Sequence, residues 1–442
     1  MLNKIIEKAK KIGFDDVQIM VVENCESELS LFHGAVEKNF VGNEATYYLK
    51  GIINNKLSTF VFGKDSRDFT DDEIDSILLK LKENVLTINS KDEFSIYEGS
   101  KEYPVIKKKE NDLDSFTLDA KINLLKEMEK DCYDFDPRVE LVQLELNEAT
   151  KKVTIVNSKG LNLTDVNRYY VVVGECVCGK TKDDPKKVQN FDVFIGIKQS
   201  DFNKNEFVKK FISDALKKLG GEPVESKEYP ILMDKKAMSG LLAGFFSMFS
   251  GEALLRGLTG LKGKLNEKVM SELITITDDP LDENSYSQSA FDLEGVACFK
   301  KNVVEKGVFK MFLHNLKTAK AFGTTSTGNA SMSSVTGMNF HIANGTTKYE
   351  EVLSSIKEGL LIKSLQGLHA GLNPISGDFS AQASGFLIKD GKIDRPVTLI
   401  VVSGNFLKML NDVKYVADDF EYSYTGFGSP SILYNGLPVS GK

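Results

Sequence analysis

The chain has 442 residues, of which 41% are hydrophobic and 27% are charged. This composition excludes a disordered protein, a collagen and a coiled-coil rod, and the length predicts about three domains. The longest nearly uncharged apolar stretch, residues 237–250, is too short to cross a membrane. The N-terminus lacks the continuous apolar block of a signal peptide. We therefore expect a cytoplasmic protein with no membrane contact.

The charge of the chain limits the classes of partner it can bind, and its cysteines indicate its redox environment. The net charge of −7 gives the chain no general attraction to phosphate polymers. Only five residues are arginine, the side chain that makes bidentate contacts to guanine and phosphate. The five cysteines follow no disulfide framework, which indicates reduced thiols. No direct nucleic-acid partner is expected.

The first predicted domain covers residues 1–90, and its order is helix, three strands, helix. The sheet begins with an apolar strand at 17–22. Residues 47–63 predict a hairpin, because its Asn54-Asn55 turn tolerates positive φ. An amphipathic helix over 71–85, with an acidic first turn, closes the domain.

The second predicted domain covers residues 91–222 and follows a polar connection. It opens with a helix near 117–131 and closes with a helix over 206–219. Between the helices, alternating apolar and polar residues predict four antiparallel strands in a meander, with a turn at Glu148 to Thr150.

The third predicted domain covers residues 223–442 and is β-rich, with one apolar helix. Hairpins are predicted within 296–313, 360–372 and 379–402, the last with a turn at Lys389-Asp390-Gly391. The whole chain is therefore predicted to be α+β. Helices flank mixed or antiparallel sheets in the first two domains, and the large C-terminal domain is mainly β.

Spacing alone reveals no metal or nucleophile motif. The four histidines are far apart, and none has H-E-x-x-H spacing. Cys176 and Cys178 share one strand face but have no second pair to complete a zinc site. Asp278, Asp292 and Asp378 lie in polar loops, where they either cap turns or form acid–base pairs. Both alternatives stay open.

The third domain carries a distinctive series of motifs. They are FSMFSGEALLRG (246–257), KGKLNEKV (262–269), ITITDDP (274–280), FDLEGVA (291–297), TSTGNAS (325–331), GDFSAQASGFLIKDGKIDRPV (377–397) and PSILYNGLPVSG (430–441). Together they resemble the TldD/PmbA family, and within it the PmbA branch, also called TldE. The resemblance covers essentially the whole chain, and its most specific motifs are C-terminal.

This resemblance implies a heterodimer with a TldD-type subunit, which forms a cytoplasmic metallopeptidase of bacteria. Such complexes degrade or trim unfolded and flexible polypeptides, including peptide-antibiotic precursors and an antitoxin. The TldD branch holds zinc on an H-E-x-x-x-H helix, completed by a Cys nearer the C-terminus. An older label of the family is modulator of DNA gyrase.

The sequence departs from the zinc-binding pattern. Aligned through LKGKLNEKV, the two His positions become Leu242 and Ser247, and the Glu becomes Ala243. None of these three side chains replaces an imidazole ligand or a general base, and the C-terminal tail has no Cys. The resemblance therefore implies no metal, no cofactor and no catalytic residue in this chain, with zinc in a TldD-type partner.

These observations predict a non-catalytic subunit that helps bind unfolded or flexible polypeptides for proteolysis or peptide maturation. A β-rich domain can hold an extended peptide by strand addition. Two loops supply the predicted substrate-binding residues. They are Thr327, Gly328 and Asn329 in the first loop, and Ser376, Gly377, Asp378, Phe379 and Ser380 in the second.

Two other classes of function stay open. The chain is alternatively an independent homodimer, which acts as a peptide-binding protein or as a metal-free peptidase built on Ser or carboxylate groups. A further alternative is a regulatory binding protein, as the gyrase label implies. The partner is accordingly a TldD-type subunit or a second copy of the chain.

Overall fold

The computed structural model describes residues 1–64, 68–89, 94–181, 184, 186–332 and 334–442. In these residues the chain forms three six-stranded sheets, with helices packed against them. This architecture confirms the predicted α+β class. No helix in the described ranges is both long enough and apolar enough to cross a membrane.

The N-terminal half consists of long strands and amphipathic helices. The predicted turn at Asn54-Asn55 is present, with φ values of 50° and 62°. Thr70 begins the second helix with a capping box, in which its hydroxyl accepts the Glu73 N–H while the Glu73 carboxylate accepts the Thr70 N–H. In chain order the elements are α1 Leu2–Lys11, β1 Asp16–Phe32, β2 Ala35–Ile53, β3 Lys56–Gly63, α2 Asp71–Thr87, α3 Leu118–Phe135, β4 Val139–Asn157, β5 Asn162–Cys178, β6 Val188–Gly196 and α4 Lys204–Lys217.

These six strands form one antiparallel sheet in the order β3-β2-β1-β4-β5-β6. One face is covered by the four helices, because alternate residues of β1, such as Ile19 and Leu29, lie in the two apolar clusters beneath them. The predicted boundary near residue 90 thus lies between strands of a single sheet. That residues 1–90 and 91–222 are two separate domains stays a prediction.

The predicted turn at Glu148 to Thr150 is wrong. Strand β4 runs through it without a break, and Glu148 pairs with Ser27 of β1 on one side and Tyr170 of β5 on the other. The polar side chains that indicated a turn lie on the strand instead, and Glu148 forms an ion pair with Lys121 of α3 at 2.6 Å. The meander therefore has three long strands rather than four.

The C-terminal region is β-rich, as predicted, and its helices are short. In chain order the elements are β7 Lys227–Met233, α5 Lys235–Phe245, α6 Gly251–Arg256, β8 Ile276–Asp278, β9 Lys301–Glu305, β10 Val308–Phe309, α7 Leu316–Phe322, β11 Phe340–Ile342, α8 Tyr349–Ser354, β12 Glu358–Gln366, α9 Leu368–Gly371, β13 Asp378–Lys389, β14 Lys392–Asn405, α10 Phe406–Asn411, β15 Val413–Val416, β16 Glu421–Tyr422, β17 Phe427–Ser429 and β18 Ile432–Ser440.

Two of the three predicted hairpins are present. Strands β13 and β14 turn at Asp390-Gly391, and β9 and β10 turn at Lys306-Gly307. Residues 360–372 do not form a hairpin, because β12 pairs with β13 and with β7. The chain leaves β12 through Gly367, whose φ of 74° directs it into the single helical turn α9.

Five strands of the third sheet close into a barrel. Their order is β14-β13-β12-β7-β18, and β14 pairs again with β18 through Val401 and Val402. The closure protects strand edges that would otherwise be open to pairing. The second sheet has the order β10-β9-β8-β11-β17-β16, and one apolar cluster is shared between it and the barrel.

The N-terminal sheet packs on the C-terminal region through its helix-free face. Met20 and Val22 of β1, with Ile155 of β4, pack against Phe291. Tyr103 strengthens this contact, since its hydroxyl donates to the Gly295 carbonyl at 2.7 Å. This packing places the 94–103 segment beside the FDLEG loop and so forms the wall of the cleft described below.

Strands β12 and β13 of the barrel approach each other closely at Gly385 of β13. An added Cβ there would lie 1.8 Å from the Leu361 carbonyl oxygen, whereas a Cβ at Gly436 of β18 would meet nothing closer than 3.8 Å. We expect Gly385→Ala to lower the free energy of unfolding by about 1–3 kcal/mol, because the strands must separate. Gly436→Ala should change it by less than about 1 kcal/mol. Urea denaturation measures both, and equal values would contradict the close approach.

Candidate functional site

Helix α5 occupies the place at which the sequence alignment sets the zinc-binding motif. Asp234 caps the helix by accepting the Lys236 N–H at 3.0 Å. Beyond this cap, Leu241, Leu242 and Phe245 are fully buried. The apolar stretch is thus a buried helix, as its composition predicts.

The three motif positions contain no metal ligand. Leu242 is 0% exposed within the main apolar cluster, Ala243 is half-buried, and Ser247 is exposed on the turn that follows α5. Phe245 stacks on Phe406 with 4.5 Å between ring centroids. In the described ranges, no group of three or more His, Cys, Asp or Glu side chains is placed to hold a metal ion. These residues do not fit the zinc that the TldD branch holds at the corresponding helix.

The first predicted loop is held in a buried polar network. Asn329 is 0% exposed, and its amide donates to Asp278 Oδ2 at 2.8 Å. Thr327 donates to Asn329 Oδ1 at 2.8 Å, and Lys301 Nζ donates to the same oxygen at 3.1 Å. Gly328 lies between them with a φ of 70°. The network fixes the loop onto strands β8 and β9.

An ion pair inside the protein holds this network. Lys301 Nζ and Asp278 Oδ2 are 2.8 Å apart, with side-chain exposures of 1% and 0%. The second Asp278 oxygen accepts the Met338 N–H at 2.6 Å. Because every charged atom has a partner, the pair satisfies the condition under which buried charges are tolerated. Asp278 is therefore a structural group rather than an acid–base catalyst.

Asp292 in the FDLEG loop has the turn-capping role that the sequence left open. Its carboxylate accepts the N–H groups of Glu294, Val296 and Ala330, each at 2.9 Å. Burial raises the pKa of Asp292 to about 6, against the effect of these three donors. The residue joins the FDLEG loop to the loop that carries Asn329.

The second predicted loop lies beside α5. Phe379 is buried, with its ring 6.5 Å from that of Phe245, while Ser376, Asp378 and Ser380 are exposed. Asn405 donates to Asp378 at 2.8 Å, and this bond lowers the pKa of the Asp378 carboxyl. These exposed polar groups face solvent, and peptide contact by them stays a prediction.

A cleft of about 1030 Å³ opens between the N-terminal sheet and the C-terminal region. The neighbours of the first predicted loop form part of its wall, whereas residues 327–329 and 376–380 do not line it. The lining is Gln18, Lys50, Leu57, Phe94, Ser95, Ile96, Tyr97, Glu252, Leu255, Glu294, Val296, Asn315, Leu316, Lys317, Ala319, Lys320, Ala321, Thr324, Thr325, Ser326, Ser331 and Met332.

Sequence reasoning missed this cleft because its walls come from distant segments. Lys50 and Phe94 belong to the N-terminal half, and Glu294 and α7 to the C-terminal half. No periodicity or motif connects these positions. The nearest signal was the predicted loop at 327–329, because residues 324–326, 331 and 332 on either side of it line the cleft.

Comparison with known proteins agrees with this architecture. The family model of the PmbA/TldA metallopeptidase central domain matches residues 111–219, and that of the C-terminal domain matches residues 226–441. The chain belongs to the PmbA/TldE family. It is therefore a metallopeptidase-like protein that carries the family's central and C-terminal domains.

Relatives of this PmbA/TldE family member are found in archaea and bacteria. A metalloprotease of Archaeoglobus fulgidus is 28% identical over 434 residues, which cover 93% of this chain and 96% of that protein. A metalloprotease PmbA homologue of Buchnera aphidicola subsp. Acyrthosiphon pisum is 26% identical over 330 residues, which cover 74% and 72%. The match to Escherichia coli O157:H7 metalloprotease PmbA spans 61% of this chain and 58% of that protein, at 25% identity.

Solved structures show the same fold. A putative modulator of DNA gyrase from Thermotoga maritima superposes with a TM-score of 0.90 at 28% identity, covering 99% of both chains. TldE from Thermococcus kodakarensis superposes with a TM-score of 0.87 at 24% identity, covering 100% of both chains. The latter likeness is one of fold alone.

We expect Lys301→Met to lower the free energy of unfolding by about 3–5 kcal/mol, because it leaves the Asp278 charge buried and unpaired. Lys264 is the control, since its side chain is 49% exposed and pairs at the surface with Glu267, which is 51% exposed. Lys264→Met should lower the free energy of unfolding by less than about 1 kcal/mol. Urea denaturation distinguishes the two variants. Equal losses would show that the network does not depend on the buried pair.

His314 should make the stability depend on pH. Burial lowers the pKa of its imidazole below 6.5, so the folded state takes up a proton less readily than the unfolded state. The contribution of His314 to the free energy of unfolding should therefore be fully present above pH 6.5 and be lost as the pH drops below it. His314→Gln should reduce this dependence, and adding His341→Gln should reduce it further, because burial also lowers the pKa of His341. Denaturation at several pH values gives the slopes, and unchanged slopes would contradict neutral buried imidazoles.

Proposed function

We propose that this protein is the non-catalytic subunit of a cytoplasmic TldD–TldE-type metallopeptidase. It binds unfolded or flexible polypeptides, and a zinc-bearing TldD-type partner cleaves or trims them. The observation that carries the proposal is Leu242, a fully buried aliphatic side chain at the position of a zinc ligand. An alkyl group inside the core cannot bind zinc, and Ala243 beside it cannot activate water.

The comparisons support a relation to both branches of the family. Besides the PmbA and TldE relatives, a metalloprotease TldD homologue of Buchnera aphidicola subsp. Schizaphis graminum is 25% identical over 363 residues. Two subunits of common ancestry, one with the zinc site and one without it, divide catalysis and substrate binding between them in this proposal. The two predicted loops are proposed to face the partner or its substrate.

Direct binding to nucleic acid is not part of the proposal. The gyrase-modulator label belongs to the Thermotoga maritima protein. The net charge of −7 and the scarcity of arginine in this chain disfavour a phosphate-binding surface. A second copy of the chain is the other partner that the homodimer alternative would require.

The decisive experiment measures cleavage of an unfolded protein by this chain, by a TldD-type chain and by their mixture. We expect strong cleavage only in the mixture, with complete loss when a zinc chelator is added, because the metal belongs to the partner. The cleavage rate should return when zinc is restored.

Two controls make this result specific. A TldD-type chain with Gln in place of the motif Glu should give an inactive mixture, since the general base is lost. Leu242→Ala in this chain should lower its stability by about 2–5 kcal/mol while the folded variant still supports cleavage in the mixture. Chelator-resistant cleavage by this chain alone would contradict the proposal and favour a metal-free peptidase.

A further inference from the structure

The cleft between the N-terminal sheet and α7 contains a carboxylate with one unused oxygen. Glu294 lies in its lining, and one carboxylate oxygen accepts the Leu316 N–H at 2.7 Å. No cation of the described residues forms an ion pair with the Glu294 carboxylate, and no second donor contacts it. Burial removes water from the Glu294 carboxylate and thereby raises its pKa. A cationic group of a ligand would stabilise the charge of this carboxylate.

Lys50 is a cation of the same lining whose charge acts on the Glu294 carboxylate. Its charge lowers the pKa of Glu294, although the two side chains form no ion pair. Lys50 is half-buried in the same wall. A ligand cation that binds Glu294 would therefore be repelled by Lys50, which gives the site an internal test.

The rest of the cleft suits an extended chain rather than a compact small molecule. Its volume of about 1030 Å³ is at the upper limit of ordinary ligand pockets. Phe94, Ile96, Leu255 and Met332 offer apolar contacts, and Leu255 and Met332 are 44% and 45% exposed. Hydroxyl groups of residues 324–326 line the same wall, and hydroxyls can donate to or accept from peptide groups.

The lining contains lysines as well as the carboxylates of Glu252 and Glu294. Lys317 and Lys320 are exposed on α7, and both lie in the lining. A polypeptide whose basic residue reaches Glu294 would bring its neighbouring side chains to Lys317. Acidic neighbours fit there and basic neighbours do not.

We propose that this cleft binds an extended segment of an unfolded polypeptide, with Glu294 receiving a Lys or Arg side chain and Lys317 receiving an adjacent carboxylate. This inference rests on the proposed function and identifies the class of segment that the subunit selects. Glu294 acts here as a binding residue and takes no part in peptide-bond hydrolysis.

The test uses fluorescence anisotropy with the full chain and labelled peptides of about ten residues. One peptide has apolar residues around a central Arg-Glu pair, and its partner peptide has Gln in place of Arg. We expect Glu294→Gln to weaken binding of the Arg peptide about tenfold, because a charge-assisted bond is lost while the Leu316 N–H keeps an acceptor. The same substitution should leave the Gln peptide unaffected, so that the two changes are coupled in a double-mutant cycle.

Further variants check the geometry. Lys50→Met should tighten binding of the Arg peptide, because it removes a repelling charge from the wall. Thr325→Trp should block both peptides, since Thr325 is exposed and lines the cleft. Glu283 is exposed and lies outside the lining, so Glu283→Gln is the matched control and should change nothing.

The outcomes separate this inference from the proposed function. Equal effects of Glu294→Gln on both peptides, or normal binding by the folded Thr325→Trp variant, would overturn the cleft site. The mixture with a TldD-type chain would then still show chelator-sensitive cleavage if the proposed function is right. Conversely, coupled peptide binding without any cleavage in the mixture would retain the cleft and overturn the proposed function.

Discussion

The burial of helix α5 between the barrel and the second sheet is the constraint on which the C-terminal region depends. Leu242 and Phe245 belong to the cluster shared by both sheets, and Phe246 packs edge-on against Phe340 and Phe427 of the second sheet. A metal site at this point would need imidazole and carboxylate groups in contact with water or substrate. Here the same helix contributes apolar surface, so its position is fixed by packing instead of coordination.

This constraint also explains the placement of the loops around the helix. Leu372 lies so close to α5 that a Cβ at Gly244 would approach its Cδ1 to 2.2 Å. The second predicted loop begins four residues after Leu372, and the contact of its Phe379 with Phe245 anchors it to the helix. The loop has exposed polar groups on a rigid support, an arrangement typical of binding surfaces.

Charged groups in the C-terminal region have two different roles. Asp278 and Lys301 are fully buried and satisfy one another, so they stabilise one loop conformation. Glu294 is less completely satisfied and faces a cleft. A network in which every polar group is hydrogen-bonded fixes one conformation, whereas a carboxylate oxygen without a partner at a cavity wall can accept a further hydrogen bond. This difference separates the loop-fixing residues 327–329 from the cleft beside them.

Local patterns in the sequence determined the α+β class, the Asn54-Asn55 turn, the β13–β14 hairpin and the burial of α5. Each depends on neighbouring residues, through positive φ or apolar periodicity. The residue types at positions 242, 243 and 247 likewise predicted that these positions hold no zinc ligand. The continuity of β4 through Glu148 could not be predicted from the residue types. Its polar residues lie within a strand because Lys121 forms an ion pair with Glu148 and because two neighbouring strands pair with β4. The burial of Asn329 and the meeting of Lys50, Phe94 and Glu294 in one cleft were also decided by the tertiary structure, since these contacts join segments far apart in the chain.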